Sequence, residues 1–384
     1  MQIDNYKNWF KTYKEKTLFH RYIYSKNMVE LLENLPSFFS VETIGKSVLN
    51  EAIFSVTFGT GSKKILMWSQ MHGNESTTTK ALFDVFNTFS ASETNLKSIL
   101  EACTIKIIPI LNVDGAKAYT RLNANNIDLN RDAQDLSQPE SIALRNLFDA
   151  FKPNYCFNLH GQRTIFGTGN SGKPATVSFL APSQDENTSI TPTRKIAMSI
   201  IAKMNTILQS QIPNQIGIYD DAFNINCVGD TFQSLNVPTV LFEAGHFAND
   251  YEREQTRLYI YQSLLTALFC VAEDSFNDES YNHYLDIPEN KKSFYDIIIR
   301  NAKVIKNGVG KVLDIAIQYQ EKLIDNSVQF VPKVEKIADL SLYFGHKEFD
   351  AEMKSVLTNS NKSVYEGYEN DFVIINNERF SFIL

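Results

Sequence analysis

Four groups of residues able to do chemistry stand directly after apolar runs of strand length. Gln70-Met71-His72-Gly73-Asn74-Glu75 follows KILMWS, and Asn112-Val113-Asp114-Gly115 follows TIKIIPIL, with Arg121 and Asp128-Leu129-Asn130-Arg131-Asp132 farther on. His160-Gly161 follows YCFNL, and Glu243-Ala244-Gly245 follows TVLF. His72 and Glu75 lie three residues apart, a spacing that points both side chains the same way on a turn or helix start. With His160 they make a His₂Glu donor set, which leaves a tetrahedral zinc ion one position open for water. The H-x-x-E pair alone is weak evidence, because it arises often by chance. Its weight comes from four polar groups that all sit at strand ends, since strand ends at one edge of a sheet converge in space.

The elements that must position these groups alternate. Strand patterns cover Ala52 to Phe58, Lys64 to Ser69, Thr104 to Leu111, Tyr155 to Leu159, Val177 to Ala181 and Thr239 to Phe242. Helical spacing appears around Met28, Leu31, Leu32 and Leu35, and again at Ala81, Leu82, Val85, Phe86 and Phe89. Further helices are expected over Pro139 to Phe151, Thr193 to Gln211 and Tyr251 to Ala272. Strands apolar on both faces, alternating with helices, predict an α/β domain with a mixed central β-sheet flanked by helices. In such sheets ligands bind in crevices outside the strand ends. The pattern changes after about Ser275. Phe294 to Val304, Lys311 to Gln320, Lys322 to Phe330 and Asp371 to Phe382 are β-prone and joined by turns such as Asn307-Gly308 and Asn376-Asn377, with one helix-like stretch near Lys347 to Val356. The expected organisation is a catalytic domain over residues 1–280 and a smaller, mostly β domain over 287–384.

Together these motifs resemble those of the zinc carboxypeptidase family. HGNE matches the family's first metal motif, and NVDG resembles its NPDG with Val113 in place of proline. TRLNANNIDLNRD resembles its R-x-N-x-x-G-V-D-L-N-R-N, with Asn126 for glycine and Asp132 for asparagine; NLHG supplies the second histidine and LFEAG the base. The resemblance covers about residues 20 to 272. It implies one zinc ion per chain held by His72, Glu75 and His160, with Glu243 as general base and Arg121 stabilising the oxyanion. It also implies that Asn130 and Arg131 grip the α-carboxylate of the substrate, that Asp128 accepts a hydrogen bond from His72, and that Tyr219 in GIYDDAFNINCVGD caps the bound substrate. The activity implied is removal of a C-terminal amino acid from a peptide. The succinylglutamate desuccinylases and aspartoacylases look similar and carry a C-terminal β domain, so the alternative is a zinc-dependent N-acyl amino acid deacylase. A non-catalytic binding module of the same fold would be expected to lack a ligand or the base, and none is missing.

The 384 residues are 43% hydrophobic and 21% charged, with a formal net charge of −7. That balance, without a Lys/Arg run, argues against nucleic acid or anionic lipid as partner. The opening MQIDNYKNWFKTYKEKTLFHRYIY has no apolar core or small-residue cleavage site of a secretory signal, and no apolar run reaches bilayer length. Cys103, Cys156, Cys227 and Cys270 form no C-x-x-C pair. They read as reduced thiols in a cytoplasmic protein. The expected partner is a peptide or a small acylated amino acid, and the oligomeric state stays open.

Overall fold

The computed structural model of the protein describes residues 3–91, 96–276, 279–306 and 308–384. Its contacts divide it into two compact units, one formed by Met1–Gln162 and Ala175–Asn290, the other by Arg163–Pro174 and Lys291–Leu384. In chain order the first ten strands are β1 (Ser40–Lys46), β2 (Ala52–Phe58), β3 (Lys63–Ser69), β4 (Cys103–Ile108), β5 (Tyr155–Gly161), β6 (Phe166–Thr168), β7 (Val177–Leu180), β8 (Ile216–Ile218), β9 (Thr239–Ala244) and β10 (Asn290–Lys292). The helices are α1 (Ile3–Tyr13), α2 (Ser25–Glu33), α3 (Thr77–Ser90), α4 (Lys97–Ala102), α5 (Val113–Ala118), α6 (Pro139–Phe151), α7 (Pro192–Gln209), α8 (Val228–Ser234), α9 (Glu254–Ala272) and α10 (Asn282–Leu285).

Eight strands form the sheet of the first unit, in the order β1-β2-β4-β3-β5-β9-β7-β8. Its centre is parallel: β4 with β3, β3 with β5, and β5 with β9. The edge pairs β1–β2 and β2–β4 are antiparallel, and so is β7–β9. Parallel strands covered on both faces are largely apolar. Ile65, Leu66, Met67 and Trp68 of β3, Cys156, Phe157 and Leu159 of β5, and Val240 and Phe242 of β9 are accordingly buried. The mixed α/β architecture expected from the sequence is the one observed. Helix α9 packs against both α3 and α7. Between α3 and α9 lies a fully buried ion pair, with Arg257 donating to both oxygens of Asp84 at 2.6 Å. The same guanidinium donates to the carbonyls of Leu18 at 2.6 Å and Glu15 at 2.8 Å, so it ties the N-terminal segment to both helices. With Glu254 Oε2 as a further acceptor at 3.1 Å, a planar fork with five acceptors can be held in the interior, whereas an unpaired charge there could not.

The second unit is all β. Its main sheet runs β13-β12-β11-β14, with β11 at Phe294–Lys306, β12 at Val309–Ile324, β13 at Ser327–Ala338 and β14 at Phe344–Asp350. A smaller sheet holds β15 (Val356–Leu357), β16 (Phe372–Ile375) and β17 (Glu378–Ser381), and β6 pairs with β10. The helix-like reading of Lys347 to Val356 is corrected here. That segment is the second half of β14, a bend and the start of β15, because β14 pairs in parallel with β11 through Ile298↔Glu348 and Ile299↔Phe349. Glu352 and Met353 then take left-handed backbone (φ 52° and 62°), which stops any helix. Asn376 and Asn377, both at positive φ, form the two-residue hairpin turn expected between β16 and β17, and Asp325-Asn326 does the same between β12 and β13. Asn307 of the other expected turn lies outside the described residues.

Candidate active site

Because β3, β5 and β9 are adjacent and parallel, their C-terminal ends lie side by side, with Ser69 opposite Leu159 and His160 opposite Glu243. The loop after β3 is held by Gln70, buried and at φ 45°, whose Nε2 donates to the carbonyls of Ile23 (3.0 Å) and Gly73 (2.7 Å). Gly73 packs backbone to backbone against α5, and a Cβ there would lie 2.0 Å from the carbonyl carbon of Gly115. Thus the glycines of HGNE and NVDG explain each other. Asn112 caps α5 through Gly115 N (2.9 Å) and also reaches the Met71 and Arg121 carbonyls (3.3 Å each). Val113 is the first residue of that helix, where proline is favoured but not required, so the departure from NPDG keeps the local structure.

The three predicted ligands meet. His72 Nδ1 lies 2.9 Å from Glu75 Oε1, His160 Nδ1 lies 3.1 Å from Glu75 Oε2, and the two Nδ1 atoms are 3.1 Å apart. Ligand atoms about 2.0–2.1 Å from a tetrahedral zinc ion are roughly 3.3 Å apart, so this triangle of donors fits one ion with little movement. Two imidazole nitrogens turned toward each other and toward a carboxylate also need a proton or a cation among them. On the far side of the ring, His72 Nε2 lies 3.1 Å from Asp128 Oδ1, which puts the ring proton there and leaves the Nδ1 lone pair facing the cluster. Burial works against charge on His72, but Glu75 and then Asp128 outweigh it and raise its pKa. Burial also favours the neutral form of Glu75, yet the histidines hold it well below the usual carboxylate range. Burial lowers the pKa of His160. Glu243 differs: burial, then Glu75, push its carboxyl well above the ordinary value. Its Oε2 is buried without a hydrogen-bond partner.

Arg121 joins the cluster, with Nη1 3.5 Å from Glu75 Oε1 and with Nε and Nη2 on Asp128 Oδ2 (3.1 and 3.0 Å). Asp128 also accepts from Asn130 N at 2.9 Å. Burial opposes its ionisation, but His72, Arg121 and that N–H hold its pKa far below normal. Asn130 and Arg131 do not touch the His/Glu cluster. Asn130 Oδ1 accepts from Val228 N at the start of α8 (3.0 Å), and Arg131 Nη1 donates to the Asn130 carbonyl (2.7 Å) and to Cys227 Sγ (3.1 Å). Asn126 adopts φ 59°, a left-handed conformation natural to the glycine it replaces and tolerated by asparagine. Asp132 accepts from Ser137 N and Gln138 N (3.0 Å each) at the entrance to α6. Tyr219, which follows β8, donates its hydroxyl to Gln162 Oε1 at 2.8 Å, two residues beyond His160. Burial, then Glu243 and Glu75, raise its pKa strongly, so the phenol stays protonated.

Sequence reasoning missed Gln162 and Asn290. Asn290 Nδ2 donates to Gln162 Oε1 (3.2 Å) and to Ser178 Oγ (3.0 Å), so it shares the acceptor that holds Tyr219. Gln162 lies two residues from a motif histidine, a hint available in the sequence. Nothing local marks Asn290, which is 128 residues away.

A sequence model of the family described as "Zinc carboxypeptidase" matches residues 24–222. A stretch of 101 residues is 29% identical to carboxypeptidase 2 of Trichophyton rubrum, covering 26% of this chain and 19% of that protein. The same values hold for carboxypeptidase 2 of Trichophyton tonsurans, so the match spans about a fifth of these curated relatives. Among solved structures, the fold is shared with the metallo-carboxypeptidase from Burkholderia cenocepacia (TM-score 0.53, 17% identity, 66% of this chain and 70% of that one). It is shared too with carboxypeptidase A from Helicoverpa armigera (TM-score 0.51, 15% identity, 71% of this chain and 80% of that one).

Proposed function

The chain belongs to the zinc carboxypeptidase family, and from that premise we propose that it is a metallocarboxypeptidase that hydrolyses the C-terminal peptide bond of a peptide. One observation carries this reading: a three-donor cluster that fits a zinc ion lies at strand ends beside a buried carboxylate with no hydrogen bond on Oε2. His72, Glu75 and His160 hold the ion, which when bound polarises a carbonyl and lowers the pKa of water. Glu243 is the base. It takes a proton from the attacking water and returns it to the leaving amine, a role that needs a carboxylate beside the metal donors, where pairing with His160 puts it. Arg121 faces the donors and stabilises negative charge on the oxygen of the scissile carbonyl. Asn130 and Arg131 bind the free α-carboxylate, and Tyr219 closes over the substrate. Four free cysteines accord with a cytoplasmic location. Among the described residues no helix is long and apolar enough to cross a membrane.

Glu243→Gln tests the reading. The variant should keep about one zinc per chain, while kcat falls by on the order of 10²- to 10⁴-fold. Zinc analysis and amino-acid release from a panel of short peptides measure both, and activity within about tenfold of wild type would exclude Glu243 as base. The panel includes N-acyl amino acids, because the all-β second unit favours the deacylase alternative. Turnover of acylated amino acids with every peptide inert would replace the first reading by the second.

A further inference from the structure

We propose that Arg253 is a positioning residue for the reaction, a buried clamp that keeps the strand ends bearing His160 and Glu243 in register; this rests on the site reading given above. β5 and β9 pair through His160↔Glu243 and Gly161↔Ala244, and there the ladder ends. One more bond follows, Gln162 N to the Ala244 carbonyl at 3.0 Å, before Gly245 turns to pair with the Thr176 carbonyl. The two chains part directly behind the metal ligand and the base.

The guanidinium of Arg253 fills that fork. Nη1 donates to the Ala244 carbonyl and Nη2 to the Gln162 carbonyl, each at 3.0 Å, and the residue is 1% exposed. One planar group thus reaches the residue after Glu243 and the second residue after His160. A lysine, with a single ammonium point, cannot match two fixed carbonyls in the same way. Through Gln162 the clamp also acts on the acceptor that holds the Tyr219 hydroxyl.

The backbone gives no reason for an arginine here. Arg253 has φ 62°, a left-handed conformation that favours glycine. It is held there by its N–H on the Asp250 carbonyl (3.1 Å) and by the Asp250 carboxylate, which caps α9 through Glu254 N (2.7 Å), Gln255 N (3.1 Å) and Thr256 N (2.8 Å). An unfavourable conformation kept by its surroundings points to a role for the side chain. Arg257, one helical turn on, instead serves Asp84 and the N-terminal segment.

The conformation supplies a clean test in the zinc-loaded full-length protein, because Arg253→Gly removes the clamp without straining the backbone. Expected are about one zinc per chain, KM within about threefold of wild type, and kcat lower by on the order of 10²-fold, the scale of a small misplacement of reacting groups. The Gln162 amide should exchange hydrogen faster by about tenfold or more, reporting the opened fork independently of activity. Millimolar guanidinium should restore a large part of kcat in Arg253→Gly and none in Arg253→Lys. If Arg253→Gly does not fold, Arg253→Lys decides: unchanged melting with kcat down by about tenfold supports the clamp. Wild-type activity with every folded variant within about threefold of it in kcat overturns the inference alone, as does loss of activity that follows melting temperature without guanidinium rescue. A wild-type protein inert on the whole panel, or an active Glu243→Gln, overturns the site reading and this inference together.

Discussion

On Asp128 three partners meet: the His72 ring, the Arg121 guanidinium and the Asn130 amide. Its carboxylate therefore sets the tautomer of a proposed ligand and aims the cation expected to meet the oxyanion. Asp128→Asn should weaken zinc binding by about 10- to 100-fold, as losses behind metal-bound histidines do, and chelator competition measures it. Wild-type affinity would leave Asp128 with no part in orienting His72. The two arginines should separate kinetically. Arg121 stands by the donors, so Arg121→Ala should lower kcat by on the order of 10²-fold. Arg131, lying by Cys227 and α8, should when changed to alanine chiefly raise KM. Steady-state kinetics with one peptide decides, and the reverse pattern would exchange their roles. Both motif substitutions in this stretch were legible once a structure gave their backbone: Asn126 takes the left-handed φ of a glycine, and Asp132 caps through two N–H groups.

The elements that hold these side chains are short and packed at van der Waals limits. The loop from β3 to α3 lies on the start of α5 with no room for a methyl group at residue 73. Gly73→Ala must move the loop or the helix, and His72 is the next residue. The expected cost is about 1–3 kcal/mol of stability together with weaker zinc binding, followed by thermal unfolding and metal titration. A variant with wild-type melting and affinity would show that the contact yields freely. Most elements were readable because buried parallel strands are continuously apolar and the helices between them keep a helical period: β2 and α6 begin and end where the pattern does. β14 was not. Its residues favour a helix locally, and only pairing with β11 makes them a strand.

At the scale of the whole chain we propose that the two compact units are two domains. The first takes in residues up to Asn290 and the second includes Arg163–Pro174, an excursion that begins just after Gln162. All three proposed zinc donors and Glu243 belong to the first unit. Calorimetry should therefore show two transitions, and zinc should raise only one. Free metal at a hundredfold excess over its dissociation constant adds about 2.7 kcal/mol to the unit that binds it. Chelator should reverse the shift, and a single transition moving as one would show that the units unfold together.

The sequence by itself determined the donor set, the carboxylate offered as base and the alternating architecture that brings them to one edge. These are written locally, in residue type, motif spacing and the period of apolar positions. Only the tertiary structure decided which ring nitrogens face the ligand cluster, because Asp128 lies 56 residues from His72. It also decided that β3, β5 and β9 are neighbours, that Gln162 and Asn290 hold Tyr219, and that Arg253 reaches both strand ends. Each is a pairing across the chain, made by a side chain whose own neighbours in sequence carry no sign of its partner.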